Sequence, residues 1–359
     1  MKKERLNRIL GNMDKHNIEQ LIITCPDSIF YLLEEWIHPG ERMLALFLNK
    51  TEKPKLIINE LFPMQRDLGV DLVIYNDTEN PVDYLGELIN EETVMGIDKE
   101  WPSRFLIELL SQKEGLRVIN SSIVVDEVRM IKDKEELDLM RKASEINDKA
   151  MGELLEYVKE GKHTESQLGK ILETIYAKYD THGFSFSPLI CYGENAAEPH
   201  HSSDDTALEE NSSIIIDIGC FSKNYASDMT RSFFYGEPSE EYKKIYELVR
   251  EANKAGIEAV KPGVKFSHID KAARKVIEDG GYGKYFTHRT GHNIGINVHE
   301  FPDVSSVNDM VVEEGMVFSI EPGIYLTGKY GVRIEDLVVV TKDGCEVLNN
   351  YSKELSIIK

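Results

Sequence analysis

No apolar run in this chain approaches the ~20 residues needed to cross a bilayer, which excludes a helical membrane span. The start, Met1-Lys2-Lys3-Glu4-Arg5, is charged, and no apolar signal core follows it. Cysteine is scarce: Cys25, Cys191, Cys220 and Cys345 are scattered without CxxC spacing. Their positions exclude an all-thiolate structural zinc site and read as reduced, mostly buried thiols of a cytoplasmic protein. Positive charge is in deficit too, with 42 Lys and Arg against 63 Asp and Glu and a formal net charge of -21. So acidic a chain argues against general binding to nucleic acid or to an anionic membrane. No internal repeat or low-complexity segment stands out.

What remains is an ordinary globular composition, 41% hydrophobic and 29% charged over 359 residues, which suits two domains with a sizeable core. Residues 1–123 read as a small α/β domain. Leu6, Ile9 and Leu10 form a helical face that pauses at Gly11, and Met13 and Ile18 extend it after the break. Short strand-like runs follow, among them Leu21-Ile22-Ile23-Thr24, Lys55-Leu56-Ile57-Ile58 and Leu72-Val73-Ile74-Tyr75, with helical stretches near 80–90 and 101–112. Trp36 beside His38 could line a site, although ordinary loop packing is the commoner reason for such a pair. Residues 124–133 read as a linker, and 134–359 as a second domain. That domain opens on a long amphipathic helix. A helix from Thr164 to Tyr179 follows, announced by the capping-box spacing Thr164-Glu165-Ser166-Gln167. Two more helices are expected near 238–260 and 266–279.

The second domain carries its chemistry in acids that stand where acids are costly. Asp217 lies in the β-branched run Ser213-Ile214-Ile215-Ile216-Asp217-Ile218-Gly219, a buried strand by composition. A buried carboxylate left alone costs several kcal/mol, so it should be paired or hold a cation. Asp228 follows after Cys220-Phe221-Ser222-Lys223-Asn224, a stretch polar enough to turn the chain into a hairpin and set the two aspartates side by side. Two like charges that close repel unless a cation lies between them. Further on, His292 stands in Thr287-His288-Arg289-Thr290-Gly291-His292-Asn293-Ile294-Gly295, and His299 in Val298-His299-Glu300-Phe301-Pro302. Glu321 ends the apolar strand Met316-Val317-Phe318-Ser319-Ile320, and Glu335 is expected inside a strand running from Tyr330 to Val340. The pair His200-His201 sits in a polar loop after Pro199. Each residue alone is weak evidence. Carboxylates with one imidazole, all in or beside apolar strands, suit divalent ions such as Mn²⁺, Co²⁺ or Zn²⁺.

The order Asp217, Asp228, His292, Glu321, Glu335, with these flanking words, resembles the pita-bread metallopeptidase family. That family includes methionine aminopeptidase, aminopeptidase P and proline dipeptidase. The leading domain and Val128-Arg129-Met130-Ile131-Lys132 resemble the proline-specific branch. The resemblance implies an α+β fold, with a pita-bread catalytic domain behind a smaller α/β domain of the creatinase N-terminal type. It implies two divalent ions, Mn²⁺ first with Co²⁺ or Zn²⁺ as alternatives. Asp217 would chelate one ion, Asp228 and Glu335 would bridge both, and His292 and Glu321 would complete the second. His200 and His299 would contact substrate, Glu321 would carry the proton, and Arg333, two residues from Glu335 on the same strand, would orient that glutamate. The implied activity is Xaa-Pro dipeptidase. Aminopeptidase P acting on longer peptides, and a non-catalytic peptide- or protein-binding member of the fold, stand as alternatives. The implied assembly is a homodimer, in which the Trp36–His38 loop would reach the partner's site. Two departures stand out. Asn293 replaces the usual glycine after the ligand histidine, where its tolerance of left-handed backbone would preserve the loop. Asp303 stands where many relatives carry the arginine that holds a substrate carboxylate. His288 and His201 are extra histidines, expected to support rather than to react.

Overall fold

The computed structural model describes residues 1–359, which divide into two compact units, Met1–Arg129 and Met130–Lys359. In the first, the order is α1 (Lys3–Lys15), β1 (Gln20–Ile23), α2 (Pro26–Leu33), β2 (Ala45–Asn49), β3 (Lys55–Asn59), β4 (Asp71–Tyr75), α3 (Pro81–Leu88), β5 (Met95–Ile97), α4 (Ser103–Gln112), β6 (Val118–Asn120) and α5 (Ser122–Arg129). One mixed sheet, β4-β3-β2-β1-β5-β6, holds every strand. Strand β1 is its centre and is buried along its whole length, which explains its unbroken apolar character. Helix α1 does not pause at Gly11. Burial of Leu6, Ile9 and Met13 on one stripe outweighs the roughly 1 kcal/mol that glycine costs inside a helix. The stretch expected as a linker is helical as far as Arg129, because Val124, Val125 and Val128 share a buried helical face.

The second unit runs α6 (Lys134–Lys159), α7 (Glu165–Tyr176), β7 (Leu189–Tyr192), β8 (Ser212–Ile218), β9 (Phe221–Ser222), β10 (Tyr225–Ala226), β11 (Met229–Tyr235), α8 (Glu240–Glu258), α9 (Phe266–Asp279), β12 (Gly291–Asn293), β13 (Glu300–Val304), β14 (Val317–Ile320), β15 (Gly323–Leu326), β16 (Tyr330–Arg333), β17 (Asp336–Val340), β18 (Cys345–Val347) and β19 (Ser356–Ile358). Two sheets dominate, β19-β11-β8-β7 and β13-β12-β14-β17-β18, with β15 and β16 as a separate ribbon. Capping boxes start α6 (Asp133 with Glu136) and α7 (Thr164 with Gln167). Both helices pack on the first sheet through Met151, Leu154, Leu168 and Leu172. Helices α8 and α9 supply the matching cover for the second half, through Val249, Phe266 and Ile269.

Strand periodicity decides which way the acids point. In β8, Ile214, Ile216 and Ile218 join the core under α6 and α7, so Ile215 and Asp217 take the opposite face. Strand β11 pairs antiparallel with β8, setting Thr230 opposite Asp217 and Met229 opposite Ile218. Asp228, just before β11, therefore lies on the Asp217 face. The connection carries its own short hairpin, β9–β10, turned at Lys223 and Asn224 with φ of 45° and 72°.

Candidate active site

The acidic face opens on a cavity of about 730 Å³ whose lining includes Asp217, Asp228, His292, Glu321 and Glu335. His200, His299 and Arg333 line it too. All of the residues singled out in the sequence for ligation or catalysis thus share one cavity. The tightest group is Asp228, His292 and Glu335, whose ligating atoms all lie within 4.8 Å of one another. His292 Nε2 stands 3.6 Å from Asp228 Oδ2 and 3.5 Å from Glu321 Oε1. Asp217 is held differently, with its Oδ2 2.7 Å from an Arg333 guanidinium nitrogen.

Local packing explains each placement. Gly291 lies so close to β14 that a side-chain carbon there would collide with the Ser319 carbonyl oxygen. Only glycine lets β12 approach near enough to bring His292 beside Glu321. Ser319 then serves both residues: its Oγ accepts from the His292 backbone N–H at 3.0 Å and donates to Glu321 Oε1 at 3.2 Å. Thr230 donates to Glu335 Oε2 at 2.8 Å, and the Glu335 N–H donates to the Thr230 carbonyl at 3.1 Å.

The Asn293 carbonyl lies 3.1 Å from His292 Nδ1. A carbonyl only accepts, so Nδ1 carries the proton and Nε2 turns a lone pair toward the carboxylates. Burial, with neighbouring His299 next, holds the ring neutral by pushing its pKa down to about 3. The carboxylates answer in the opposite sense. Burial and then the charge of Glu335 drive Asp228 well above its ordinary value, burial and then Glu321 do the same to Glu335, and burial lifts Glu321 to about 7. Oδ1 of Asp217 and Oδ1 of Asp228 are buried without a hydrogen-bond partner. Orphaned acid oxygens and an imidazole lone pair aimed at one point, at separations too long for hydrogen bonds, form a donor set that a divalent cation fits. The residues present therefore match the metal the fold implies.

Several expectations need correction. Glu335 is not inside a strand: β16 ends at Arg333 and β17 begins at Asp336. The two belong to different sheets, and Ile334-Glu335 is the crossing between them. Arg333 consequently binds Asp217, and reaches Glu335 only through Thr230 Oγ1, to which its Nε donates at 3.1 Å. Asn293 does not use left-handed backbone; it is a strand residue whose Nδ2 donates to the Pro302 carbonyl at 2.9 Å. Asp303 stays out of the cavity and accepts from Ser305 and Asn308. His288 does line it. Its Nδ1 donates to the Arg289 carbonyl and its Nε2 accepts from Tyr325 Oη, which accepts from Arg333. His201 turns away to Glu165, 2.9 Å distant. Trp36, in the first unit, stacks between Phe30 and His38.

Sequence reasoning missed Thr230, Ser319, Tyr325 and Arg231. Arg231 is buried against Asp336 at 2.7 Å and donates to the Glu335 carbonyl at 2.6 Å, clamping the crossing segment. Its only signal was an arginine in a strand otherwise fit for burial.

Residues 138–342 match metallopeptidase family M24, and residues 5–131 match the creatinase/prolidase N-terminal domain. An uncharacterized peptidase of Staphylococcus aureus (strain USA300) is 35% identical over 97% of this chain and 99% of its own. The crystal structure of a recombinant prolidase from Thermococcus sibiricus superposes with a TM-score of 0.91 at 32% identity, covering 99% of each chain. Dipeptidase PepE from Mycobacterium ulcerans gives a TM-score of 0.93 at 30% identity, covering 99% of this chain and 97% of that one. The chain belongs to metallopeptidase family M24, in the pita-bread, proline-specific branch that carries a creatinase-type leading domain. It is a peptidase.

Proposed function

We propose that this chain hydrolyses the peptide bond on the amino side of proline, acting chiefly as an Xaa-Pro dipeptidase. The observation that carries the reading is the neutral His292 lone pair directed at Asp228 and Glu321, with Glu335 beside them, in a peptidase whose structural relatives include a prolidase and a dipeptidase. Asp217, Asp228, His292, Glu321 and Glu335 would hold two divalent ions, Mn²⁺ in first place. Such ions supply Lewis acidity toward the scissile carbonyl and bring the pKa of a water toward neutrality.

The chain's own groups do the rest. Glu321, beside His292 and held by Ser319, takes the proton from the attacking water and delivers it to the leaving proline nitrogen. His200 and His299 donate hydrogen bonds to the oxygen on which negative charge develops, a role worth ~2.7–4 kcal/mol per donor. The His299 ring packs edge-on against His292 at 4.1 Å between centroids, which fixes its direction. Arg333, 2.7 Å from Asp217 Oδ2, holds that carboxylate and aims it into the cavity. The working form is taken to be a cytoplasmic homodimer.

The decisive experiment adds Mn²⁺, Co²⁺ or Zn²⁺ back to metal-free protein and compares an Xaa-Pro dipeptide with an Xaa-Pro-Yaa tripeptide. Preference for the dipeptide supports the assignment, and preference for the tripeptide moves it to aminopeptidase P. Absence of both metal uptake and proline release makes the chain a non-catalytic binding member of the fold.

A further inference from the structure

The cavity holds two arginines, and they differ in their commitments. Arg333 is buried and bound to Asp217, Thr230 and Tyr325. Arg289 lines the same cavity but its side chain is exposed, donates no hydrogen bond to the protein and forms no ion pair with it. In a chain with a net charge of -21, a guanidinium left without a carboxylate inside an acidic cavity is an unmet demand for an anion. Its backbone is fixed: the Arg289 carbonyl accepts from His288 Nδ1 at 2.7 Å, and the next residue, Thr290, is pinned by Asp270 through its N–H and its hydroxyl.

The position is informative as well. Arg289 precedes His292 by three residues and lines the same cavity as His292, His299 and Glu321. Glu321 is the group assigned to the leaving nitrogen. In an Xaa-Pro dipeptide the terminal carboxylate carbon lies two bonds beyond that nitrogen, roughly 2.5 Å away. Whatever captures it must stand beside the group that protonates the nitrogen. Asp303 lies outside the cavity lining and, being acidic, offers a carboxylate no partner.

We propose that Arg289 is the specificity residue that binds the C-terminal carboxylate of a dipeptide substrate, its planar fork meeting the two carboxylate oxygens. The assignment rests on the Xaa-Pro reading and adds to it the selection of a free C-terminus adjacent to the scissile bond. Longer peptides present an amide there, which has no charge for Arg289 to meet.

The test uses the full-length, Mn²⁺-loaded protein and compares an Xaa-Pro dipeptide with its C-terminal amide. The wild type favours the free acid. Arg289→Gln lowers the acid-to-amide ratio of kcat/KM by about 10- to 100-fold, mainly through KM for the acid. Arg289→Lys, which keeps the charge but not the fork, falls between. Titration calorimetry with proline and prolinamide repeats the comparison without turnover, and the variant loses affinity for proline selectively. An unchanged acid-to-amide ratio in Arg289→Gln, or a wild type indifferent to the free carboxylate, overturns the assignment while leaving proline specificity intact. A wild type that hydrolyses proline-free dipeptides instead removes the Xaa-Pro reading, and the acid-to-amide comparison is then made on those dipeptides.

Discussion

The centre of this protein is an electrostatic conflict among a few side chains. Asp228, Glu321 and Glu335 are packed against a neutral imidazole and lifted in pKa by burial and by one another. Without a metal ion the conflict is relieved in part by the Arg333 charge and otherwise by protons. A carboxyl whose folded pKa is raised above its unfolded value stabilises the fold below the unfolded pKa and loses that contribution as pH rises through the folded one. For Glu321 the window runs from about 4.5 to about 7. The metal-free protein is therefore expected to lose stability across that range, and added Mn²⁺ to restore it at pH 7. Urea unfolding at several pH values, with and without chelator, measures this; a metal-free protein that gains stability over the window contradicts it. Asp228→Ala removes one party to the repulsion and one ligand together. Activity should fall by about 10²- to 10³-fold, as when charge-stabilising groups are lost, with metal content reduced and circular dichroism unchanged. Full activity in this variant refutes the site.

At the scale of elements, the loop between β7 and β8 must hold His200 over the cavity although His200 itself is exposed. Glu165, in the first turn of α7 and fully buried, supplies the anchor. Its carboxylate accepts from the Tyr192 N–H, Asn195 Nδ2, His201 Nε2 and the Asp204 N–H, at 2.7 to 3.1 Å. One acid thus ties a helix start, a strand end and both flanks of His200. Glu165→Gln puts a donor where acceptors are needed. It should cost about 1–3 kcal/mol in stability and lower kcat/KM by roughly tenfold, while metal binding stays intact. Loss of metal along with activity would show that the anchor serves the fold in general and not the His200 loop.

At the scale of the molecule, every proposed ligand, acid, base or hydrogen-bond donor of the site belongs to the unit Met130–Lys359. Ligand binding stabilises the state that binds, by about 2.7 kcal/mol at a hundred times Kd. Mn²⁺ should accordingly slow hydrogen exchange most in β8, β11, β12 and β14 and in the crossing before β17. Uniform protection along the chain, or protection concentrated in Met1–Arg129, would place the metal elsewhere.

The sequence by itself marked the acids and the histidine that the fold gathers in one cavity. A carboxylate in a β-branched run is costly enough to demand a partner, so Asp217 announced itself, and the hairpin that follows brought in Asp228; the capping boxes of α6 and α7 and the apolar periodicities of α6, α7, α8 and α9 were equally legible. Tertiary structure alone decided who supports whom. Arg333 holds Asp217 because the chain changes sheets at Ile334-Glu335, and no local pattern marks such a crossing. Ser319, Thr230 and Glu165 act through single hydrogen bonds to residues distant in sequence, which composition and periodicity cannot encode. The fate of a charge, as with Arg289 left free and Arg231 buried, depends on which partners the fold brings within reach.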